Sequence, residues 1–171
     1  MALHRWLHPT HVFDRVHDVQ PDWLAAHGLR ALLLDADNTL VPRHAYHLDD
    51  ETRAWIELLL SHQLRLAILS NSASPRQVAK MVADYDIPTL ALARKPARSG
   101  FRRALQRLDV TPAETAMVGD QLFTDILGGN RMGLRTILVP PCSTNDFIVY
   151  RLFGRTLERP LLRRRLSEPR G

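Results

Sequence analysis

Apolar positions along the chain fall into short runs that stop at polar residues, and the runs alternate with stretches of helical period. Ala31-Leu-Leu-Leu34 runs straight into Asp35. Leu66-Ala-Ile-Leu69 ends at Ser70-Asn71, Thr115-Ala-Met-Val118 at Gly119-Asp120, and Arg135 to Val139 at two prolines. Runs this short, bounded by turn residues, are expected as buried strands. Pro88 to Ala93 reads as a further strand. Between them, Pro21 to Gly28 predicts a short helix with Gly28 as its stop, and Asp50 to His62 a helix burying Trp55, Leu58 and Leu59. Ser74 starts a capped helix through Tyr85, and Ser99 to Leu108 puts Phe101, Ala104, Leu105 and Leu108 on one face. Thr111-Pro-Ala-Glu114 is a capping-type turn, and Leu122 to Arg131 a helix ended by Gly133.

Strand and helix alternate throughout, which predicts an α/β fold with a parallel sheet and helices on both faces. The 171 residues suit one domain. Trp6, Leu7, Val12, Phe13 and Val16 are expected to form a strap (1–20) packing on it. No apolar run approaches the ~18 residues that span a bilayer, and Met1 to Trp6 lacks the apolar core of a signal peptide. The single cysteine, Cys142, excludes an internal disulfide and fits a cytoplasmic setting.

In open parallel sheets, function sits at the carboxyl ends of the strands. There the chain delivers Asp35, Asp37 and Thr39, then Ser70 and Asn71, then Lys95, then Gly119, Asp120 and, beyond the turn, Thr124 and Asp125. Asp35 and Asp37 project to one side of an extended strand, and with Asp120 they gather three negative charges. Mg²⁺, which favours hard oxygen ligands, would offset them. A carboxylate could then attack a phosphate, and a second carboxylate move the leaving group's proton. Ser70, neighbouring amides and Lys95 would hold the phosphoryl oxygens. With 21 arginines and only two lysines in the chain, a lysine here fits a compact point charge.

These residues carry a resemblance. Asp35-Ala-Asp-Asn-Thr39, Leu69-Ser-Asn71, Lys95-Pro96 and Gly119-Asp-Gln-Leu-Phe-Thr-Asp125 resemble, in order, the four motifs of the haloacid dehalogenase-like (HAD) phosphatases, whose core is a Rossmann-like sheet. The resemblance implies that Asp35 is the nucleophile and Asp37 the general acid/base, giving its backbone carbonyl to Mg²⁺. It implies that Asp120 is a metal ligand and that Asp125 stands behind it, holding the metal's waters or the lysine. The start Asp-Asn-Thr-Leu-Val41 and the tail Asp146 to Arg159 are similar to the subfamily IIIA phosphatases of the YqeG type, a group similar to phosphatidylglycerophosphate phosphatases.

Asn38 to Asp49 and Arg94 to Arg98 are too short to hold a cap domain, so an open site is expected, suited to a phosphate on something large. Charge adds a partner class. Residues 151–171 carry seven arginines against Glu158 and Glu168, equal to the whole formal excess of +5. Arg151, Arg155 and Arg159 form one stripe of a basic amphipathic tail (146–171), and Val149, Phe153 and Leu157 another, with Leu161 to Leu166 beyond. Such a tail suits an anionic membrane surface. The expected activity is therefore a Mg²⁺-dependent phosphomonoesterase acting on phosphatidylglycerophosphate at the inner membrane face. The alternatives are a phosphatase for a sugar phosphate, nucleotide or nucleic-acid end, and a ribosome- or nucleic-acid-associated module. His4, His8, His11, His44 and His47 lack a cysteine or carboxylate set to complete a metal site.

Overall fold

The central strands of the sheet are apolar runs that the preceding turns feed into the core. The computed structural model describes residues 6–43 and 45–142. Six parallel strands lie in the order β1-β6-β5-β2-β3-β4. They are β1 (His11–Val12), β2 (Ala31–Leu34), β3 (Arg65–Leu69), β4 (Thr89–Leu90), β5 (Thr115–Gly119) and β6 (Arg135–Leu138). Leu34 pairs with Ile68 on one side and Val118 on the other, so three strands end level with one another. From β2 the chain steps outward to β3 and β4, then returns to β5 on the other side. The crevice between β2 and β5 is thus the point where strand order reverses, the usual binding position in such sheets.

Period-two alternation splits the strand residues between two cores. Leu32, Leu34, Ile68 and Val118 face helices α1 (Pro21–Ala26), α2 (Asp50–Ser61) and α3 (Pro75–Met81). Ala31, Leu33, Ala67, Leu69 and Met117 face α4 (Arg98–Leu108). On that second side α5 (Leu127–Met132) packs so closely that a Cβ on Gly128 would lie 2.5 Å from the Phe101 ring. Helix α2 starts where Asp49 accepts a 2.8 Å hydrogen bond from the Thr52 amide, and Trp55 Nε1 donates to the Val19 carbonyl.

Four expectations need correction. The third strand covers only Thr89–Leu90, because Leu92 and Arg94 take left-handed φ values of 51° and 56° and turn the chain off the sheet. Helix α3 stops at Met81, where bonds of shorter reach replace the helical ladder (Val82 N to Ala79 O, Tyr85 N to Val82 O). Ser74 makes no side-chain cap. The span from Leu122 to Arg131 is not one α-helix. Leu122–Ile126 form a π-helical turn, with the Ile126 amide donating to the Gln121 carbonyl. Leu58 is exposed, and Ile56 takes the inward position beside Trp55 and Leu59.

The expected strap also supplies an edge strand, β1, pairing His11 with Ile137. Asn130 Nδ2 donates to the Trp6 and His8 carbonyls and fastens it. The amphipathic tail and residues His4 and His44 lie outside the described residues. No helix among the described residues is long and apolar enough to cross a membrane.

Candidate functional site

Past Leu34 the chain turns sharply around one carbonyl. The amides of Leu40 and Val41 both donate to Ala36 O, Asn38 takes φ 63°, and its amide donates to Val41 O at 2.7 Å. This turn leaves Asp35 buried and Asp37 half-buried, both lining a cavity of about 310 Å³. Ser70 sits opposite, at the end of β3, and its Oγ donates to Asp37 Oδ2 at 3.4 Å while accepting from the Ser72 amide.

Lys95 reaches the cavity from the loop after β4, past a cis Lys95–Pro96 bond. Its amide donates to Asn71 Oδ1 at 2.7 Å, and Asn71 Nδ2 donates back to its carbonyl at 3.0 Å. The ammonium lies 2.5 Å from Asp35 Oδ1 and 2.7 Å from Asp125 Oδ1, its side chain 2% exposed. Burial alone would push its pKa down, but the charges of Asp125 and Asp35 outweigh burial and hold it above the ordinary value.

The other side of the crevice comes from β5 and the π-helical turn. Asp125 is fully buried and accepts from the Gln121 amide at 3.1 Å. It lies so near the strand that only glycine fits at 119, since a Cβ there would be 2.3 Å from Asp125 Oδ2. Thr39 makes long 3.5 Å contacts to Asp35 Oδ2 and Asp120 Oδ1. Oxygens of Asp35, Asp120 and Asp125 all fall within 4.8 Å of one another, the one such metal-capable group among the described residues.

Three buried or half-buried carboxylates thus cluster around one ammonium, which pairs with Asp35 and Asp125. Burial pushes Asp35 up to about 7 despite Lys95. Burial, then the charges of Asp35 and Asp125, pushes Asp120 up to about 8. A cluster short of positive charge in a desolvated crevice, offering only hard oxygens, is chemically matched to a divalent cation. The residues present fit the metal.

The strand-end residues singled out from the sequence as the site gather at this one end of the sheet. Asp35, Asp37, Asn71 and Lys95 line the cavity, whereas Thr39, Ser70 and Asp120 are not part of its lining. Thr39 and Ser70 spend their hydroxyls on the carboxylates, and Asn71 spends its amide on the Lys95 backbone. Asp125 holds the lysine directly. Thr124, expected beyond the turn that follows Asp120, lines the cavity too, and the remaining lining was missed: Arg43, Tyr46, Ser72, Ala73, Ser74 and Gln121. Tyr46 Oη lies 3.2 Å from Ser72 Oγ, tying the loop after β2 to the loop after β3. The single available signal was that these residues sit within a few positions of the motifs.

A family model described as HAD-hydrolase-like matches residues 92–145. Over 160 residues the chain is 32% identical to the probable phosphatase YqeG of Bacillus subtilis (strain 168), covering 94% of this chain and 92% of that protein. It is also 32% identical over 161 residues to the chloroplastic/mitochondrial phosphatidylglycerophosphate phosphatase 1 of Arabidopsis thaliana, covering 86% of this chain but only 45% of that protein. Among solved structures, the cobalt-bound deoxy-D-mannose-octulosonate 8-phosphate phosphatase of Haemophilus influenzae superimposes with a TM-score of 0.54. It is 17% identical and covers 66% of this chain and 69% of that one, a likeness of fold.

Proposed function

The chain is a phosphatase belonging to the HAD-like family of the YqeG type, and on that premise we propose that it hydrolyses phosphatidylglycerophosphate to phosphatidylglycerol through an aspartyl-phosphate on Asp35. The observation that carries the mechanism is Lys95 Nζ at 2.5 Å from Asp35 Oδ1, on the wall of a cavity that Asp37 shares.

A carboxylate oxygen of Asp35 attacks phosphorus and the ester P–O bond breaks. The leaving oxygen takes the proton of the Asp37 carboxyl group, which Ser70 holds in place. Asp37, now a carboxylate, removes a proton from water, whose oxygen attacks the phosphorus and frees Asp35 and inorganic phosphate. Lys95, kept charged by Asp35 and Asp125, faces the phosphoryl oxygens as negative charge spreads over them. The carboxylates of Asp35 and Asp120 and the Asp37 carbonyl would hold Mg²⁺, with Asp125 orienting Lys95 behind them. Bound there, Mg²⁺ supplies neutralising charge for the carboxylates and for the transferred group.

The lipid reading is supported by the activity for which the plant relative is named and by an approach with little to close it. Residues 35–49, apart from the undescribed 44, hold one isolated bridge, Asp37 with Val41, and residues 91–97 hold no helix or strand. We read the domain as capless and peripheral to the cytoplasmic membrane face. The test is phosphate release from phosphatidylglycerophosphate in detergent micelles with Mg²⁺, beside a panel of sugar phosphates and nucleotides. Preferred hydrolysis of the lipid supports the reading. Hydrolysis of an aryl phosphate without release from the lipid overturns the substrate and leaves the phosphatase.

A further inference from the structure

The end of the sheet that holds the cavity also carries the two most exposed large apolar side chains among the described residues. Phe123 is 62% exposed and Leu92 is 53% exposed, against 36% and 37% for Val12 and Leu58, the other exposed large apolar residues among those described. Scattered apolar residues are ordinary on a surface, so their position is what matters. Leu92 lies two residues past β4, in the loop that leads to Lys95. Phe123 lies between Gln121 and Thr124, which both line the cavity. In the sheet, β4 and β5 stand on opposite sides of the β2–β3 pair that delivers Asp35 and Ser70. The two residues therefore flank the mouth. Both are held there: the Leu92 amide donates to Ser72 O at 3.2 Å, and Phe123 rides the turn closed by Asp125 and Ile126 amides on Gln121 O.

Outside the carboxylate cluster of the cavity, unpaired charge at this end is mainly basic. Arg43, Arg94 and, in the first turn of α3, Arg76 are exposed, and among the described residues no ion pair engages them. The acidic residues nearby open α2. Asp49 is spent on its cap and Glu51 is paired with Arg15, which leaves Asp50. A surface with apolar points set among arginines is complementary to an anionic bilayer.

We propose that the mouth of the cavity is itself a membrane-docking face, with Leu92 and Phe123 entering the headgroup–acyl boundary and Arg43, Arg76 and Arg94 meeting the headgroup phosphates. The proposal rests on the lipid reading of the substrate. It explains why apolar side chains flank a polar site: a phosphate on a lipid headgroup stays in the interfacial plane, and the cavity must be brought down onto it. Docking through these loops is separate from any contribution of the arginine-rich tail.

The experiment compares the full-length protein with its Leu92→Ser/Phe123→Ser variant. Each is assayed on phosphatidylglycerophosphate in vesicles of phosphatidylglycerol and phosphatidylcholine, on a short-chain, monomerically dispersed form of the same lipid, and on an aryl phosphate. Flotation with the same vesicles is measured alongside. Removing two interfacial apolar anchors should lower activity on vesicles at least about tenfold and weaken flotation, with the other two activities within about twofold of wild type. A variant equal to wild type on vesicles overturns the docking face. So does a variant that loses short-chain activity to the same extent, since the residues then serve the cavity or the fold. Wild-type protein that hydrolyses neither form of the lipid sinks the substrate reading instead, and flotation of the two proteins still decides the docking face.

Discussion

Asn71 and Lys95 exchange two hydrogen bonds, amide to Oδ1 at 2.7 Å and Nδ2 to carbonyl at 3.0 Å, so the end of β3 fixes the backbone from which the Lys95 ammonium projects. Asn71 is exposed and contributes little to the core. Its loss should therefore register as misplacement of Lys95. We expect Asn71→Ala to lower kcat on an aryl phosphate by about 10- to 100-fold with little change in melting temperature, the scale of a misplaced catalytic group. A variant with wild-type kcat would remove Asn71 from the mechanism.

Gly119→Ala probes the packing beneath the site. The new methyl would sit 2.3 Å from Asp125 Oδ2 and 2.4 Å from its Cγ, so Asp125 must move and its contact with Lys95 with it. Overpacking of this kind costs about 1–3 kcal/mol. Denaturant unfolding should show that loss, and turnover should drop alongside it. Unchanged stability and unchanged turnover would show that Asp125 relaxes freely.

Metal-free protein should be less stable at higher pH. Asp35 and Asp120 hold protons up to about 7 and about 8 in the folded chain, against an ordinary 3.8. Between those values the folded state binds more protons than the unfolded one, so the contribution of these two groups is full below about pH 4 and is lost as pH rises towards 8. In EDTA the melting temperature of wild type should fall over this range relative to Asp120→Asn, in which histidine titration is the same. Mg²⁺ should raise the melting temperature of wild type more than that of Asp120→Ala. Parallel profiles for wild type and Asp120→Asn would contradict the charge assignment.

Asp49 offers a control away from the chemistry. Hydrogen bonds from Thr52 hold its carboxyl below the ordinary value. A depressed carboxylate stabilises above its unfolded pKa and loses that contribution as pH falls through the folded one. Asp49→Ala should cost about 1 kcal/mol at neutral pH, the usual value of an N-cap. The difference from wild type should narrow below about pH 4 in acid unfolding curves.

Central strands were readable because burial on both faces demands continuous apolar runs, as in Ala31–Leu34 and Thr115–Val118. The polar residues that end them were readable because three strands in register must empty into one crevice. Edges were harder. Thr89–Leu90 and His11–Val12 are two-residue strands set by neighbours and by positive φ at Leu92, none of which leaves a period in the sequence. The π-helical turn that swings Asp125 onto Lys95 looks like ordinary helix in its residue pattern. Arg43, Tyr46 and Ser72 are common loop residues that meet only through a tertiary contact between two loops. The direct roles of Thr39, Ser70 and Asn71 as braces likewise depend on distances that spacing does not encode.

The division of labour between the two aspartates can be read from a trapped enzyme. Asp37→Asn should still accept a phosphoryl group from an aryl phosphate, whose leaving group needs little protonation, but should lack the base that activates water. The most direct measurement is mass spectrometry of Asp37→Asn quenched in acid after mixing with aryl phosphate and Mg²⁺. One phosphoryl group on the peptide carrying Asp35, formed with a burst of released phenol and absent from Asp35→Asn/Asp37→Asn, is the predicted result. An Asp35→Asn protein that turns over like wild type, or a phosphoryl group found on another residue, would contradict it.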